Sequence, residues 1–386
     1  MITALSEYLV LDLTTNLPGP YCSMLLSDLG AKIIKVEPPK GDPLRRFPSE
    51  FASINRGKRD IVIDLKTDQG KKLINQLITK ADVVLEGFRP GVSKRLGIDY
   101  KSAKTLNSKL VYCSISGYGQ KGPYKTRPGH DINYLAIGGM LGRSNPPMVP
   151  PILISDLSSG LYAALAISAA LIDKASRGKG NYIDLSMTDC ILSWMSLDFA
   201  SVFNGSHINE QPILENIPHY GIFKTSDSKF ISLGIVHEDH FWIQLCDILD
   251  LDSWKNWPLR KRLEDDAMIR EKLKNIFATN SCEEWNILLS QADVPFAPIY
   301  DLDELKEDPY IKYRKPFYSL FASDHTESHQ IKPPYRMSQS DDIVPLPPPT
   351  QGEHSRQILA ECGYTEDEIN HLIQLGVIHE SMNHKS

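Results

Sequence analysis

The first third of the chain alternates apolar runs with segments of helical periodicity, and this alternation restricts the fold more than any other feature. Residues 8–13 are typical of a strand buried on both faces. Residues 18–29 then predict a helix, with proline near its start and Gly30 at its end. A further helix is predicted at 69–80, and further strands at 32–37, 61–64, 82–86, 110–116 and 183–187. Strands that alternate with helices predict a parallel sheet covered by helices on both faces, an α/β fold.

The pattern changes near residue 205, and a chain of 386 residues is too long for one ordinary hydrophobic core. Residues 221–234 predict a β-hairpin around a Ser-Asp-Ser turn, followed by helices at 240–251, 265–279 and 282–291. Residues 316–349 are rich in proline and predict a connection that crosses back over the fold. Two short amphipathic helices are expected within 352–378. We therefore expect a large α/β domain over 1–204 and a small α+β domain over 205–315.

Composition excludes several classes of partner. A net charge of −6 and a pI near 6.0 argue against a nucleic-acid-binding protein, which would carry a basic face. The longest apolar run, 161–172, is too short to span a bilayer and predicts a buried helix. The first ten residues do not resemble a signal peptide, and the last residues are not a peroxisomal address. The cysteines are scattered singly, as reduced thiols are, so we expect a cytoplasmic protein without membrane or nucleic-acid partners.

Two proton-transfer groups lie where loops lead into helices. His130 follows Pro128 and Gly129 directly before a helical pattern, and Asp156 precedes a second, longer one. A helix N-terminus offers N–H groups and a positive dipole end that stabilise a developing oxyanion. The pair therefore indicates chemistry at an acidic carbon. The alternative, an N-cap role for Asp156 and a turn role for His130, is also compatible with these residues.

Two other motifs are rejected. Residues 117–122 match the glycine pattern of a dinucleotide site, but Pro123 and Pro128 follow where a helix must open. His237, Glu238 and His240 lack the H-E-x-x-H spacing of a zinc site and have no cysteine beside them. We therefore expect neither a nicotinamide cofactor nor a metal.

Basic residues gather after the predicted strand ends, where α/β sheets bind their ligands. On a negatively charged chain, this grouping indicates either a phosphate-bearing ligand or ordinary solvated surface. The residues are Lys35, Arg45, Arg46, Arg56, Lys58, Arg59, Lys66, Arg89 and Arg95.

The residues described above, together with several short stretches along the chain, resemble the family III CoA-transferase superfamily, and within it the α-methylacyl-CoA racemases. Gly-His-Asp-Ile-Asn-Tyr at 129–134 is the stretch similar to the racemase branch. The other shared stretches are Pro-Gly-Pro-Tyr at 18–21, Asp-Leu-Gly-Ala at 28–31, Lys-Val-Glu-Pro at 35–38, Asn-Arg-Gly-Lys-Arg at 55–59, Asp-Leu-Lys at 64–66, Phe-Arg-Pro-Gly at 88–91, Ser-Gly-Tyr-Gly-Gln at 116–120, Arg-Gly-Lys-Gly at 177–180 and Gly-Glu-His at 352–354.

The resemblance implies a Rossmann-like CoA-binding large domain that 316–386 completes as a return segment with C-terminal helices. It also implies an interlocked homodimer whose active site lies between protomers. His130 would be the base, Asp156 the catalytic aspartate and Glu238 a supporting glutamate, without a metal. The residues expected at the CoA part of the substrate are Arg59, Ile63, Asp64, Lys66, Arg89, Arg95, Gly129, Asp131, Asn133 and Tyr134.

The function expected from these residues and the resemblance is racemisation of a 2-methylacyl-CoA thioester in lipid metabolism, with no cofactor beyond the coenzyme A of the substrate. One of His130 and Asp156 would remove the α-proton and the other would reprotonate the opposite face. N–H groups at the start of the Asp156 helix would hold the enolate oxygen. The alternative is a CoA transferase that moves CoA between carboxylic acids, with Asp156 as nucleophile. A CoA-ester-binding regulatory protein without catalysis is a third possibility.

Overall fold

The computed structural model describes residues 3–144, 146–205, 217–322, 325–338 and 344–381. Parts of two predicted segments, 206–216 and 339–343, lie outside the described residues, as do the chain ends 1–2 and 382–386 that entered the targeting argument. The chain divides into two compact units, Met1–Ser196 with Pro316–Ser386, and Leu197–Lys315.

A seven-stranded sheet forms the centre of the first unit. Its strands are β1 (Leu9–Leu13), β2 (Lys32–Glu37), β3 (Lys58–Ile63), β4 (Val83–Glu86), β5 (Val111–Ser116), β6 (Asn181–Ser186) and β12 (Ile378–His379). Their order is β12-β3-β2-β1-β4-β5-β6, and every neighbouring pair is parallel except β12 with β3. The predicted α/β fold with a parallel sheet is therefore confirmed. The order of the parallel strands is that of a Rossmann fold, in which ligands bind where the order reverses, between β1 and β4.

Helices cover both faces of this sheet. They are α1 (Pro18–Asp28), α2 (Pro48–Ile54), α3 (Asp68–Lys80), α4 (Val92–Leu96), α5 (Tyr100–Leu106), α6 (Asp131–Ile137), α7 (Ile154–Arg177), α8 (Met187–Trp194), α15 (Ser355–Glu361) and α16 (Glu366–Gln374). One core joins Leu73 of α3 to Leu359 of α15, and the other joins Leu26 of α1 to Ile167 of α7. Since each face of the sheet has its own apolar core, the strands are buried on both sides, as their composition predicts.

Helix α7 is longer than the apolar run that predicts it. Among the described residues, Ile154–Arg177 is the one helix with the length and hydropathy of a membrane span, at a mean hydropathy of 1.4. The prediction that this segment is too short to span a bilayer is therefore wrong, because the helix extends past 161–172 at both ends. Half of the most apolar 18-residue stretch of this helix is buried within the protein, as is also typical of a core helix in a protein that does not span a membrane.

The C-terminal segment returns to the first strands of the sheet. It contains a hairpin that the sequence did not predict, β10 (Phe317–Phe321) paired with β11 (Glu327–Ile331). Further on, Gly352 N–H donates to the Asp60 carboxylate over 2.5 Å, and His354 N–H donates to the Asp60 carbonyl over 3.0 Å. The two predicted tail helices are confirmed as α15 and α16. The sequence end thus supplies an edge strand and two covering helices to the sheet that the first residues begin.

The second unit has a three-stranded antiparallel sheet, β7 (Tyr220–Lys224), β8 (Phe230–Gly234) and β9 (Phe296–Pro298), in the order β7-β8-β9. The predicted hairpin is confirmed, whereas β9, three residues ending in proline, carries no strand signal of its own. Helices α10 (Asp239–Ile248), α12 (Asp266–Phe277) and α13 (Cys282–Ser290) match the predicted ones. The further helices are α9 (Ser196–Phe203), α11 (Leu259–Glu264) and α14 (Pro309–Arg314). The core of this unit lies between the β7-β8 hairpin and helices α10, α12 and α13, and contains Trp242, Phe277 and Leu289.

Candidate active site

Close packing fixes the loop that carries His130. A side chain on Gly129 would place its Cβ 2.8 Å from the ring of Tyr134, and one on Gly117 would place it 2.3 Å away. Tyr134 is buried and donates a 2.7 Å hydrogen bond to the Gly129 carbonyl. His130 is the N-cap residue of α6, and its N–H donates to the Asn133 side chain over 3.0 Å. Gly129, Asn133 and Tyr134, expected at the CoA moiety, therefore hold the backbone that presents an exposed imidazole.

Asp131 joins the start of α6 to the start of α7. Its carboxylate oxygen accepts the N–H of Ser155 over 2.6 Å and the N–H of Asp156 over 3.1 Å. The N-cap residue of α7, Leu153, has no side chain that can accept these donors, so Asp131 caps the helix from its neighbour. The residue beside His130 thereby fixes the backbone of Asp156. Asp131 is buried in this role, although the sequence reasoning assigned it to CoA.

The Asp156 carboxyl lies in the first turn of α7 and is partly buried. Burial, followed by the nearby charge of Asp131, raises the pKa of Asp156 to about 7. A carboxyl group with this pKa is present both as acid and as base near neutral pH, as proton transfer requires. The α7 N-cap is Leu153, so a simple capping role for Asp156 is wrong.

The backbone N–H groups at the start of α7 are less available to a ligand than expected. Of its first N–H groups, those of Ser155 and Asp156 both donate to Asp131. The expectation that N–H groups at this helix start receive an enolate oxygen is therefore wrong for these two groups. The sequence could not show this, because the capping carboxylate lies 24 residues from the first donor.

The pKa of Tyr134 reports on its charged neighbours. Burial raises it to about 12; Tyr118 and Asp156 add to the rise, and Arg89 opposes it. Arg89 is an exposed residue that follows β4, whereas Tyr134 belongs to α6. Because the charges of Arg89 and Asp156 both affect the pKa of Tyr134, the tyrosine lies within electrostatic range of both residues. This environment forms beside the point where the strand order reverses.

Further residues complete this surface, and the sequence reasoning passed over them. The Tyr118 ring packs edge-on against Tyr134 with centroids 5.3 Å apart. Its hydroxyl is buried and has no hydrogen-bond partner among the described residues. A side chain on Gly160, one turn after Asp156, would place its Cβ 2.6 Å from the Pro18 carbonyl oxygen. Tyr118 belongs to one of the stretches that carry the family resemblance, and this is the signal that would have identified it.

The remaining residues expected at CoA have different environments. Lys66 and Arg95 are exposed, like Arg89. Arg59 Nη1 donates to both carboxylate oxygens of Glu361, over 2.7 and 2.8 Å. The Asp64 carboxylate accepts the backbone N–H of Lys66 over 2.9 Å. Ile63 is buried in the core of the sheet, so its side chain does not reach the surface. Whether these residues bind CoA stays a prediction.

Three members of the basic group are buried rather than available for phosphate. Lys35 pairs with Asp42 at 2.8 Å, Lys58 with Asp12 at 3.4 Å, and Arg56 with Asp28 at 2.6 Å. Burial lowers the pKa of Lys58 to about 7. For these three residues, both expectations for the basic group, a phosphate site and ordinary solvated surface, are wrong. The sequence alone does not distinguish basic residues that form buried ion pairs from basic residues that form a surface patch.

Glu238 belongs to the second unit and is the N-cap residue of α10. Its carboxylate accepts the N–H groups of Val236 and His237, each over 3.0 Å. Bonds from backbone N–H groups, its own first and then that of Val236, hold the pKa of Glu238 below its usual range. Glu238 is thus a fixed carboxylate, which suits the supporting role that the resemblance implies.

Comparison with known proteins now defines the class. Residues 5–355 match the model of CoA-transferase family III, and the chain belongs to this family. It is 32% identical to the succinate–glutarate CoA-transferase of Agrobacterium fabrum, over 92% of this chain and 95% of that protein. It is 31% identical to human α-methylacyl-CoA racemase, over 96% of each chain.

Solved structures agree with this assignment. A CAIB/BAIF family protein from Brucella suis matches 94% of this chain and 100% of its own, with a TM-score of 0.83 and 29% identity. Rv3272 from Mycobacterium tuberculosis matches 91% of this chain and 98% of its own, with a TM-score of 0.81 and 29% identity. The relatives include both racemases and CoA-transferases, and they match this chain at nearly equal identity.

Proposed function

We propose that the protein is a cofactor-independent racemase of 2-methylacyl-CoA-type thioesters that works by proton transfer through an enolate. The observation that carries the proposal is the bridge made by Asp131, which joins the helix start of His130 to the backbone of Asp156. An imidazole and a carboxyl group thereby belong to one local structure. A transferase has no evident use for an imidazole at this place.

The chemistry follows from the acidity of the α-hydrogen next to a thioester carbonyl. One of His130 and Asp156 takes that proton, and the electron pair of the broken C–H bond moves onto the carbonyl oxygen as an enolate. The other residue returns a proton to the opposite face, which inverts the carbon. A positioned acid or base of this kind contributes on the order of 10²–10⁴-fold. The pKa of about 7 for Asp156 suits either direction of transfer.

A CoA transferase is the second candidate, and relatives of nearly the same identity that bear transferase names favour it. In this reaction the Asp156 carboxylate attacks the thioester carbonyl, and a mixed anhydride forms as the thiolate of CoA leaves. The thiolate then attacks the aspartyl carbonyl of the anhydride, which releases the donor acid and forms an aspartyl-CoA thioester. The acceptor carboxylate attacks this thioester to give a second anhydride and free the thiolate, which then attacks the acceptor acyl carbonyl, so that the new acyl-CoA forms and the Asp156 carboxylate leaves. His130 has no covalent part in these steps.

We further propose that Arg89, Arg95 and Lys66 contact the phosphates of CoA, since all three are exposed at the edge of the sheet where Rossmann-like folds bind ligands. No cofactor is needed beyond the coenzyme A that the substrate brings. We also propose a cytoplasmic location and a place in the metabolism of branched acyl chains.

A homodimer is part of the proposal, and the outer face of α7 supports it. Leu161, Leu165 and Ile172 are 51, 63 and 72% exposed. Their spacing places them on one side of the helix, opposite the small buried residues that face the core. An apolar stripe of this kind is typical of a surface that a second copy covers. Light scattering should give twice the 43.4 kDa of the chain, and Leu165→Glu should reduce that mass.

The deciding experiment incubates single enantiomers of 2-methylacyl-CoA thioesters with the enzyme in D₂O. A racemase places deuterium at the α-carbon, and NMR detects it; a transferase moves CoA to an added carboxylic acid without α-deuteration. The variants His130→Ala and Asp156→Ala extend the test. In a racemase both variants lose inversion, whereas in a transferase Asp156→Ala is inactive and His130→Ala is nearly normal. A His130→Ala enzyme with full activity would exclude the racemase.

A further inference from the structure

The loop that carries Glu238 is short and internally bonded. It leaves β8 at Ile235 and enters α10 at Asp239. The carboxylate of Glu238 accepts the N–H groups of Val236 and His237, so its position depends on the backbone of the loop itself. Whatever holds the two ends of the loop therefore also sets the position of this carboxylate.

Buried side chains hold both ends. His219 Nδ1 lies 3.0 Å from the carbonyl oxygen of Ile235, at the start of the loop. Arg262 Nη2 donates to the carboxylate of Asp239, at its end. Arg262 Nη1 lies 3.4 Å from His219 Nε2, which joins the two holding side chains to each other. The contacts form a closed ring around residues 235–239, which we call the Glu238 clamp.

The hydrogen bonds of the Glu238 clamp fix the tautomer and the charge of His219. The Ile235 carbonyl can only accept a hydrogen bond, so Nδ1 carries the hydrogen and Nε2 faces the guanidinium with its lone pair. Burial lowers the pKa of His219 to about 4, and the nearby charges of Arg262 and Arg270 act in the same direction. The imidazole is therefore neutral at physiological pH. A cationic imidazole would repel the guanidinium.

Stability alone does not explain Arg262. Its side chain is fully buried over the Trp242 ring, with the guanidinium carbon 5.3 Å from the centroid. Its Nε is buried and has no partner among the described residues. Replacing buried charged groups by apolar side chains of similar volume is often neutral or stabilising. A costly buried arginine with one unused donor is better explained by the geometry that it enforces.

We infer that Arg262 is a positioning residue, which with His219 and Asp239 holds the Glu238 loop in the geometry that the reaction needs. The inference rests on the proposed function and on the supporting role that the family resemblance implies for Glu238. A small displacement of a catalytic carboxylate lowers turnover by about 10²-fold when the misplacement approaches 1 Å. The clamp supplies the rigidity that prevents it.

The test uses the full chain and the reaction that the wild type catalyses, α-proton exchange or CoA transfer. Arg262→Met keeps the apolar stem over Trp242 and removes the guanidinium. Its kcat should fall by about 10²-fold, while KM and the unfolding midpoint change little. Arg262→Lys should restore part of kcat, because an ammonium still reaches an acceptor. The matched control is Arg260→Met on the same helix, where the arginine is 90% exposed and pairs with Glu264, and its kcat should equal that of the wild type.

Two further variants keep the outcomes separate. Glu238→Gln tests the proposed role of Glu238 by itself: a normal kcat would remove that role, and the clamp would lose its purpose. If Glu238→Gln is impaired while Arg262→Met turns over normally, the positioning inference is overturned and the role of Glu238 remains. Asp239→Ala decides the matter if Arg262→Met does not fold, because it removes the acceptor of Arg262 and this carboxylate is 70% exposed, so that its loss should not unfold the protein. Its kcat should fall at least about tenfold, as only the clamp contact changes; a kcat equal to that of the wild type refutes the clamp.

Discussion

The Asp156 carboxyl should make the protein less stable as pH rises, and Asp156→Asn should remove this dependence. The pKa of Asp156 rises from its ordinary value of 3.8 to about 7 because of burial and the charge of Asp131. A tenfold difference in acidity corresponds to about 1.36 kcal/mol. The rise is therefore worth about 4 kcal/mol at most, and this penalty falls on the charged form in the folded state.

The sign follows from proton binding. Below pH 3.8 the carboxyl is protonated in both folded and unfolded chains, so it has no effect on the free energy of unfolding. Between 3.8 and about 7 only the unfolded chain releases the proton, so stability falls as pH rises, and the loss is complete above about 7. Asparagine is neutral throughout. Asp156→Asn should equal the wild type near pH 4 and exceed it by about 4 kcal/mol near pH 8.

Urea unfolding from pH 4 to pH 8, followed by tryptophan fluorescence at one protein concentration, measures this difference. Asp173→Asn is the control, since Asp173 lies on the surface of the same helix and pairs with Arg177 at 2.8 Å. Its effect should stay within about 0.5 kcal/mol at every pH. A difference between Asp156→Asn and the wild type that does not grow with pH would refute the argument that burial of this carboxyl raises its pKa.

Three further changes test the packing and polar contacts around the site. Gly160→Ala should lower the free energy of unfolding by about 1–3 kcal/mol, because the new Cβ would lie 2.6 Å from backbone oxygen that cannot move aside; Gly142→Ala, where the space is open, should be neutral by the same urea titration. Asp131→Ala should cost about 1–2 kcal/mol, because two N–H groups at the start of α7 lose their acceptor, and should also lower α-proton exchange. Arg56→Met should cost about 3–5 kcal/mol, because Asp28 would remain buried without its partner, and calorimetry should show a lower unfolding temperature.

The sequence by itself determined the elements of the large sheet. Apolar runs such as residues 8–13 and 32–37, with proline and glycine at the helix ends between them, have the composition of strands that are buried on both faces. These are local signals, and the structure reproduces them. The positions of His130 and Asp156 at helix starts were also visible, because chain breakers and helical periodicity precede and follow them. The family resemblance then supplied their chemical meaning.

Only the tertiary structure decided which polar groups meet. Lys35 and Lys58 have the same local sequence character as exposed basic residues, yet the strand register buries both beside acids. Asp131 caps α7 rather than its own helix, and Arg262 reaches Asp239 from another helix. Hydrogen bonds and ion pairs act over about 3 Å in space and carry no trace of separation along the chain. For this reason the strands and the candidate catalytic residues could be predicted from the sequence, whereas the contacts that position those residues could not.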